Sequence, residues 1–203
     1  LSLVLPQVEF THVVLPARHF AWRIRGNPLS WYQQPELQCA DYDACIATSM
    51  VDVASLRGMS LPALQCPIAV YFHENQFAYP SSRHQKFSDD PKVVQLYAAL
   101  AGDIVCFNSR YNQESFLQGA EKWMRLMPDH VNPEKICHAI SRKTRVLPVP
   151  LQIGAEPPSA PRSPGPPYHI AWNHRWEYDK GPHRLLAMLE TLPADSSVIF
   201  HII

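Results

Sequence analysis

The stretch PIAVYFHENQFAYP, residues 67–80, joins a short apolar run to a group of polar residues. The apolar run is continuous rather than alternating, which is typical of a strand that is buried on both faces of a parallel sheet. In an open parallel sheet, ligands bind where strand ends meet helix starts. The polar residues that follow the run therefore either cap a core strand or line a site; they are His73, Glu74, Asn75 and Gln76.

Similar runs recur along the chain and alternate with segments of helical period. This alternation builds a parallel sheet covered by helices, so the sequence predicts an α/β fold. The predicted strands span 10–16, 43–49, 67–73, 103–108, 144–149, 168–173 and 197–203. The predicted helices span 91–101, 110–127 and about 181–192.

The helix predicted over 110–127 has one apolar face. Ser109 stands where an N-cap is expected. The apolar residues recur at the spacing of a helix face that packs into a core, and this spacing explains them without a cofactor. They are Phe116, Ala120, Trp123 and Met127, with Leu117 and Met124 beside them.

Composition limits the function classes. Lys plus Arg and Asp plus Glu number 18 each among 203 residues, so any nucleic-acid contact must come from a local patch. The five cysteines are scattered without CxxC pairs, which favours a reduced, cytoplasmic protein. No apolar run approaches the roughly 20 residues of a membrane helix, so no membrane partner is expected.

A proline-rich segment indicates how the chain is organised. Eight of the 20 prolines fall in 148–167, which predicts an extended connector over 151–167. It separates an N-terminal domain, 1–150, from the start of a second domain, 168–203. Because the chain begins at Leu1 and stops inside an apolar run, we expect it to be a fragment that is cut at both ends.

The polar loop after the strand at 168–173 is a candidate anion site. Arg175 and Lys180 lie between that strand and a helix start, so two cations and a helix dipole could converge on a diphosphate. The alternative is that they pair with Glu177 and Asp179 in a solvated charged loop. Residue types alone leave both interpretations open.

The polar group at 73–76 has a similar alternative. His73 could be a satisfied strand-end histidine, and Glu74 a helix-start carboxylate. A metal site lacks the HxxxH or HExxH spacing that would support it, so no metal is expected. Its candidate ligands would be His73, Glu74, Asp129, His130 and His138.

The segment LPARHFAWRIRGN, 15–27, interleaves arginines with aromatic residues. Guanidinium and aromatic planes in this arrangement suit phosphate contact and base stacking in RNA. The alternative is that Trp22 and Ile24 pack inward while the arginines are solvated.

Six motifs together resemble the tRNA-queuosine α-mannosyltransferase family. The similarity runs from about residue 12 to the end of the chain and keeps the motifs in the expected order. They are YFHENQFAYP, ATSMVDVASLRG, FNSRYNQESFL, MPDH, LPVPL and WNHRWEYDKGP.

The resemblance implies a glycosyltransferase of the retaining, GT4-like class with the GT-B architecture, in which two Rossmann-like domains form the enzyme. The N-terminal domain is expected to bind the acceptor, and the C-terminal one the nucleotide sugar. The implied reaction transfers mannose from GDP-mannose to queuosine at the wobble position of tRNA(Asp). Neither a metal nor another cofactor is implied, and the partners are queuosine-containing tRNA and the nucleotide sugar.

The resemblance also assigns roles to residues. His73, with Glu74 beside it, is similar to the histidine that hydrogen-bonds the donor sugar. Arg175 and Lys180 are similar to the pair that holds the donor diphosphate and stabilises the leaving group. Asn108 and Ser109 are expected at the donor, and the tRNA contacts are expected from Arg23, Arg25, Asn27, Asn75 and Gln76.

The chain departs from the family pattern in two places. The resemblance implies that the first strand of the N-terminal domain and most of the nucleotide-binding domain are missing, so we expect this chain to be inactive alone. Two other functions stay open: a GT-B transferase with another nucleotide sugar or acceptor, and a catalytically silent RNA-binding module. The sequence does not indicate the oligomeric state.

Overall fold

The computed structural model describes residues 5–38, 42–80, 88–151, 165–193 and 195–203. The described residues form two compact units. The first comprises 5–78 and 88–149, and the second comprises 79–80, 150–151 and 165–203. The predicted proline-rich connector lies mostly in 152–164, outside the described residues.

A parallel sheet of four strands organises the first unit. The strands neighbour one another in chain order, and Val70 of the second strand lies opposite Ala47 of the first and Val105 of the third. Because all four run in one direction, their carboxyl ends meet at one edge of the sheet. The strands are β1 (Cys45–Thr48), β2 (Ile68–Phe72), β3 (Ile104–Phe107) and β4 (Thr144–Val146).

Helices precede the sheet and connect its strands. Side chains at the preceding position cap three of them, because Asp52, Ser109 and Asn132 each accept a first-turn backbone N–H. The helices are α1 (Phe20–Tyr32), α2 (Pro35–Gln38), α3 (Val53–Gly58), α4 (Asp90–Ala101), α5 (Arg110–Met124) and α6 (Pro133–Ser141), with a 3₁₀ turn at Pro62–Leu64.

Three phenylalanine rings form the centre of the core. Phe72 of β2 lies 4.8 Å from Phe107 of β3 and 4.9 Å from Phe116 of α5, measured between ring centroids, and all three are fully buried. Burial of each such side chain stabilises the fold by roughly 1.5–3 kcal/mol. The predicted core face of α5 is confirmed at Phe116, Ala120 and Met124.

Two sequence predictions about secondary structure are wrong. The segment 10–16 is not a strand: none of the strands that the structure describes pairs with it, and Val14 is 78% exposed. Strand propensity has no effect without a neighbouring strand to supply hydrogen bonds. Helix α5 ends at Met124 rather than at 127. Helix α1, for which no element was predicted, carries most of the arginine-rich segment 15–27.

The second unit consists of a smaller parallel pair and one helix. Strand β5 (Tyr168–Trp172) pairs with β6 (Val198–Ile202), and α7 (Pro182–Thr191) lies between them in the chain. A 3₁₀ turn at Tyr178–Lys180 leads into α7 through Gly181, whose φ of 73° a side chain would strain. Although its apolar sequence predicts burial on both faces, β5 leaves Ile170 44% exposed.

None of the helices in the described part of the chain is both long and apolar enough to cross a membrane.

Candidate functional site

The loop after β2 presents two polar side chains to solvent at the carboxyl edge of the sheet. His73 and Glu74 are both exposed, whereas the next residue, Asn75, is only 5% exposed. The side chain of Gln76 is half-buried, and its amide lies 3.4 Å from Glu74 Oε1. The loop therefore offers an imidazole and a carboxylate at this edge.

The amide of Asn75 anchors the loop to α5. Its Nδ2 donates to Asn112 Oδ1 at 2.7 Å and to Ser115 Oγ at 3.0 Å, and its Oδ1 accepts the backbone N–H of Ala78 at 2.9 Å. Because a buried amide is costly unless it is hydrogen-bonded, this side chain is committed to the fold. The structure does not expose Asn75 for the direct tRNA contact that the sequence predicts.

Phe77 continues the contact between the loop and α5. Its ring packs edge-on against Phe116, with centroids 5.3 Å apart. A Cβ atom at Gly119 of α5 would lie 2.4 Å from the Cβ of Phe77. The loop can approach the helix this closely only because position 119 is glycine.

The backbone and ring of His73 are held by two neighbours. Asn108 Nδ2 donates to the carbonyl of His73 at 2.6 Å. The ring of Tyr71 meets the imidazole edge-on, with centroids 4.8 Å apart, while its hydroxyl donates to the carbonyl of Leu147 at 2.9 Å. Neighbouring side chains therefore hold both the backbone and the ring of His73 in place.

The predicted donor-binding pair after β3 is engaged within the protein. Asn108 Oδ1 accepts from Asn112 Nδ2 at 2.9 Å and from Ser109 Oγ at 3.2 Å. Ser109 Oγ also accepts the N–H of Asn112 as the N-cap of α5. Both residues lie at the carboxyl edge near His73, but the hydrogen bonds that they make support the loop and the helix.

The predicted RNA-contact residues lie on α1 in different environments. Asn27 is 3% exposed. Its Nδ2 donates to the carbonyls of Arg23 and Ile24 at 2.7 and 3.2 Å, and its Oδ1 accepts the N–H of Asp52 at 3.1 Å. Since Pro28 has no N–H for the Ile24 carbonyl, the Asn27 amide supplies the missing donor inside the helix. This position does not suit the direct RNA contact that the sequence predicts for Asn27.

The two arginines of α1 differ in their partners. Arg25 Nη1 lies 3.3 Å from Asp52 Oδ2, and the Arg25 side chain stays 48% exposed while that of Asp52 is buried. Arg23 is half-buried. Both guanidinium groups are on the surface of α1, and that of Arg25 is partly neutralised.

In the second unit, the two predicted cations each pair with a neighbouring carboxylate. Arg175 Nη1 lies 3.0 Å from Glu177 Oε1 and is 75% exposed, and Lys180 Nζ lies 2.7 Å from Asp179 Oδ2. The hydrogen bond from Lys180 lowers the pKa of Asp179, and the same bond raises the pKa of Lys180. The sequence alternative of a charged loop with these two pairs is the arrangement that the structure shows.

Lys180 also borders an open cleft of about 600 Å³ in the second unit. Trp172, Tyr178 and His183 line it with aromatic rings, and the Tyr178 and His183 rings stack with centroids 5.1 Å apart. Arg175 is not among the described residues that line this cleft. A cleft with aromatic walls and two cations at its border, Lys180 and Arg184, can hold a polar ring and an anionic group.

No group of three His, Cys, Asp or Glu side chains within the described ranges is close enough to hold a metal ion. The five sequence candidates for a metal site are therefore not brought together. The expectation that the reaction needs no metal stays a prediction.

Sequence reasoning missed the buried amides that fix the site. Gln95 of α4 and Asn112 of α5 are buried, at 0% and 5% exposure, and both bond to the loop after β2 or its neighbours. One signal was present for Gln95, which is the only polar residue in the run VVQLYAALA of a helix predicted to face the core. Asn112 gave no comparable signal, since it lies among polar residues.

Together, these features define an α/β protein of the Rossmann-like class, with polar loops at the carboxyl ends of parallel strands. A family model described as "tRNA-queuosine alpha-mannosyltransferase N-terminal" matches residues 3–151. A tRNA-queuosine alpha-mannosyltransferase of Drosophila melanogaster is 31% identical over 183 residues, which cover 86% of this chain and 48% of the relative. The chain belongs to the tRNA-queuosine alpha-mannosyltransferase family.

The chain spans about half the length of this curated relative. No solved structure matches the chain.

Proposed function

We propose that the full-length protein transfers mannose from GDP-mannose to queuosine at the wobble position of tRNA(Asp), with retention of the α linkage. The observation that carries this proposal is the family membership, together with the name of the fruit-fly relative. The GT-B architecture and the GT4-like class are part of the proposal. So is a cytoplasmic location, which is where a tRNA substrate would be met.

The reaction breaks the bond between the anomeric carbon of mannose and the diphosphate oxygen. Negative charge develops on that oxygen, and preplaced cations lower the barrier by stabilising it. Arg175 and Lys180 are the residues that we assign to this task. Both are on a loop that ends at the amino terminus of α7, where backbone N–H groups favour an anion.

The ion pairs of these cations do not prevent this role. The pair of Arg175 with Glu177 is solvent-exposed, and such pairs contribute little stability, so an incoming diphosphate can replace the carboxylate. A guanidinium can also donate two parallel hydrogen bonds to a phosphate. Its single contact with Glu177 does not occupy all of its N–H donors.

We assign the donor sugar to His73 and Glu74 of the first unit. Their exposed side chains can hydrogen-bond sugar hydroxyls, and their loop is held from beneath. The acceptor hydroxyl attacks the anomeric carbon on the face that the diphosphate leaves, and its proton passes to the departing phosphate oxygen. The new glycosidic bond and the GDP product balance the reaction without a protein nucleophile.

For the tRNA we assign Arg23 and Arg25 as phosphate contacts and Gln76 as a polar contact near the acceptor. Asn27 and Asn75 serve this site indirectly, because each is buried and shapes the segment that carries an exposed neighbour. Asn108 and Ser109 act at the donor in the same indirect way, by supporting His73 and α5.

The test uses full-length protein with radiolabelled GDP-mannose and tRNA(Asp) that contains queuosine. We expect label to enter the tRNA and to be absent when the same tRNA carries guanine at the wobble position. UDP-glucose and GDP-glucose serve as donor controls.

Each outcome of this assay decides between functions. Incorporation from another nucleotide sugar, or into a non-RNA acceptor, would identify a different GT-B transferase and overturn the substrate assignment. Binding of the tRNA without incorporation from any donor would identify a silent RNA-binding module.

A further inference from the structure

Gln95 is a fully buried polar residue on the inner face of α4. The other buried residues of α4 are all apolar: Val94, Leu96, Ala98 and Ala99. A buried amide is destabilising unless its donors and acceptor find partners, so its presence in this core calls for a physical reason.

The partners of Gln95 belong to two strand-end loops. Its Oε1 accepts the backbone N–H of Gln76 at 2.8 Å. Its Nε2 lies 3.2 Å from Ser49 Oγ, in the turn after β1, and 3.5 Å from the carbonyl of Glu74, in the loop after β2. Gln95 therefore joins both loops to one another and to α4.

The loop after β2 is held from its other side by Asn75, which bonds to Asn112 and Ser115 of α5. Residues 74–76 thus have a fixed anchor on each side, one on α4 and one on α5. Between the anchors, only the side chain of Asn75 points inward, while Glu74 and its neighbour His73 stay exposed.

We propose that Gln95 is a positioning residue that fixes the loop carrying His73 and Glu74 in the geometry that the donor sugar requires. The inference rests on the proposed mannosyl transfer. Gln95 touches no substrate, and it acts by accepting the Gln76 N–H. A loop that loses this hydrogen bond can shift by about an ångström, and a misplacement of that size costs on the order of 100-fold in rate.

The closing experiment compares Gln95→Met with a matched control, Gln113→Met, in the full-length protein. Gln113 is a half-buried glutamine of α5 whose Nε2 donates to Thr144 Oγ1 of β4, away from the loop. Methionine keeps the length of the side chain and removes its hydrogen bonds in both variants. The control therefore reports the cost of losing a hydrogen-bonded glutamine amide away from the loop.

Two measurements are made on each variant. Hydrogen–deuterium exchange, resolved to single residues, reports the Gln76 N–H, with Val70 of β2 as an internal reference. Steady-state kinetics report kcat and KM for the tRNA.

In Gln95→Met we expect the Gln76 N–H to exchange at least ~10-fold faster while Val70 stays protected. We expect kcat to fall by ~10–100-fold, with KM for the tRNA within ~3-fold, because the loop carries only Gln76 of the three assigned tRNA contacts. Gln95→Glu, whose carboxyl group can still accept the Gln76 N–H, should recover part of the rate. Gln113→Met should leave both the Gln76 N–H and kcat close to wild type.

Three results would overturn the inference. The first is a Gln76 N–H that is unprotected in the wild-type protein, and this result needs no variant to fold. The second is a normal kcat in Gln95→Met despite a released Gln76 N–H, and the third is an equal loss of kcat in Gln95→Met and Gln113→Met. If the wild-type protein transfers no sugar, the proposed function fails, and exchange at Gln76 still decides whether Gln95 holds the loop.

Discussion

The two units place polar residues at similar points of the chain but hold them by different means. In the first unit, the loop after β2 is tied down by buried amides, and the strands beneath it pack around three buried phenylalanines. In the second unit, the loop after β5 carries two ion pairs, of which Arg175–Glu177 is solvent-exposed and Lys180–Asp179 is partly buried, and none of the described residues of this loop is fully buried.

The difference shows which polar groups are available to a ligand. A buried amide cannot leave its partners without a desolvation cost, so Asn75 and Asn112 are held within the fold and support the loop. An exposed ion pair exchanges its partner at little cost, so Arg175 can accept a diphosphate. We therefore expect substitutions in the phenylalanine core of the first unit to change mainly stability, and those in the loop after β5 to change mainly activity.

The largest expected effect is on the core of the first unit. Phe116→Ala removes a ring that contacts Phe72, Phe107 and Phe77, and it should lower the free energy of unfolding by about 3–5 kcal/mol. Leu186→Ala in α7, at a position that is 58% exposed, is the matched control and should cost less than about 0.5 kcal/mol. Urea denaturation followed by circular dichroism measures both. Equal losses of unfolding free energy in the two variants would contradict the proposed difference in packing between the two units.

The next effect is on transfer. Arg175→Ala should lower kcat by about 100-fold or more, since it removes a cation from the leaving group, and should leave the free energy of unfolding unchanged. Glu177→Ala frees the same guanidinium from its partner and should keep full transfer. The labelled-mannose assay measures both variants, with tRNA binding as the control for folding. A normal rate in Arg175→Ala would remove the diphosphate role from this residue.

The smallest effect is on pH dependence. The backbone N–H of Ile68, which bonds to Oδ2 at 2.7 Å, holds the pKa of Asp103 below its ordinary value of 3.8, and Arg57 and Lys143 add to the shift. Because the folded pKa is the lower one, Asp103 stabilises the fold above its ordinary pKa, and this contribution is lost as the pH falls through the folded pKa. Asp103→Asn should therefore flatten the acid limb of the stability curve below about pH 4.

Asp179 of the second unit gives the matched comparison. Its pKa is also lowered, but first by the hydrogen bond from Lys180, so the shift depends on a neighbouring charge. Added salt should weaken the effect of Asp179→Asn more than that of Asp103→Asn, because the largest cause of the Asp103 shift is a backbone N–H. Unfolding curves at low and high salt measure this. Equal salt dependence at both positions would contradict the assignment of causes.

The strands of the sheet were predictable because their apolar runs are continuous and bounded by breakers. Strands β1 to β4 all fall inside predicted segments. Helix α1 was not predictable from local pattern, because Gly26, Asn27 and Pro28 are all poor helix formers. Hydrogen bonds of Asn27 to the turn before α3 stabilise the helix despite these residues. Helix propensity alone does not predict such tertiary contacts.

The location of the candidate site was predictable from the sequence, but the hydrogen bonds that hold its residues were not. The exposed positions of His73, Glu74 and Arg175 follow from their place directly after strands. The hydrogen bonds of Asn108, Ser109 and Asn75 within the protein do not follow from the sequence. An asparagine at a strand end gives the same sequence pattern whether its partner is a ligand or a neighbouring helix. Only the hydrogen bonds separate the two cases.

The pairing of Asn27 with Pro28 bears on how relatives of this chain should be compared. An asparagine next to arginines invites assignment to nucleic-acid recognition wherever it is retained in evolution. Here its amide repairs the helix at the carbonyl that Pro28 leaves without a donor. A relative that replaces the proline is released from this one requirement, while the hydrogen bonds of Asn27 to Asp52 and Met50 still favour asparagine.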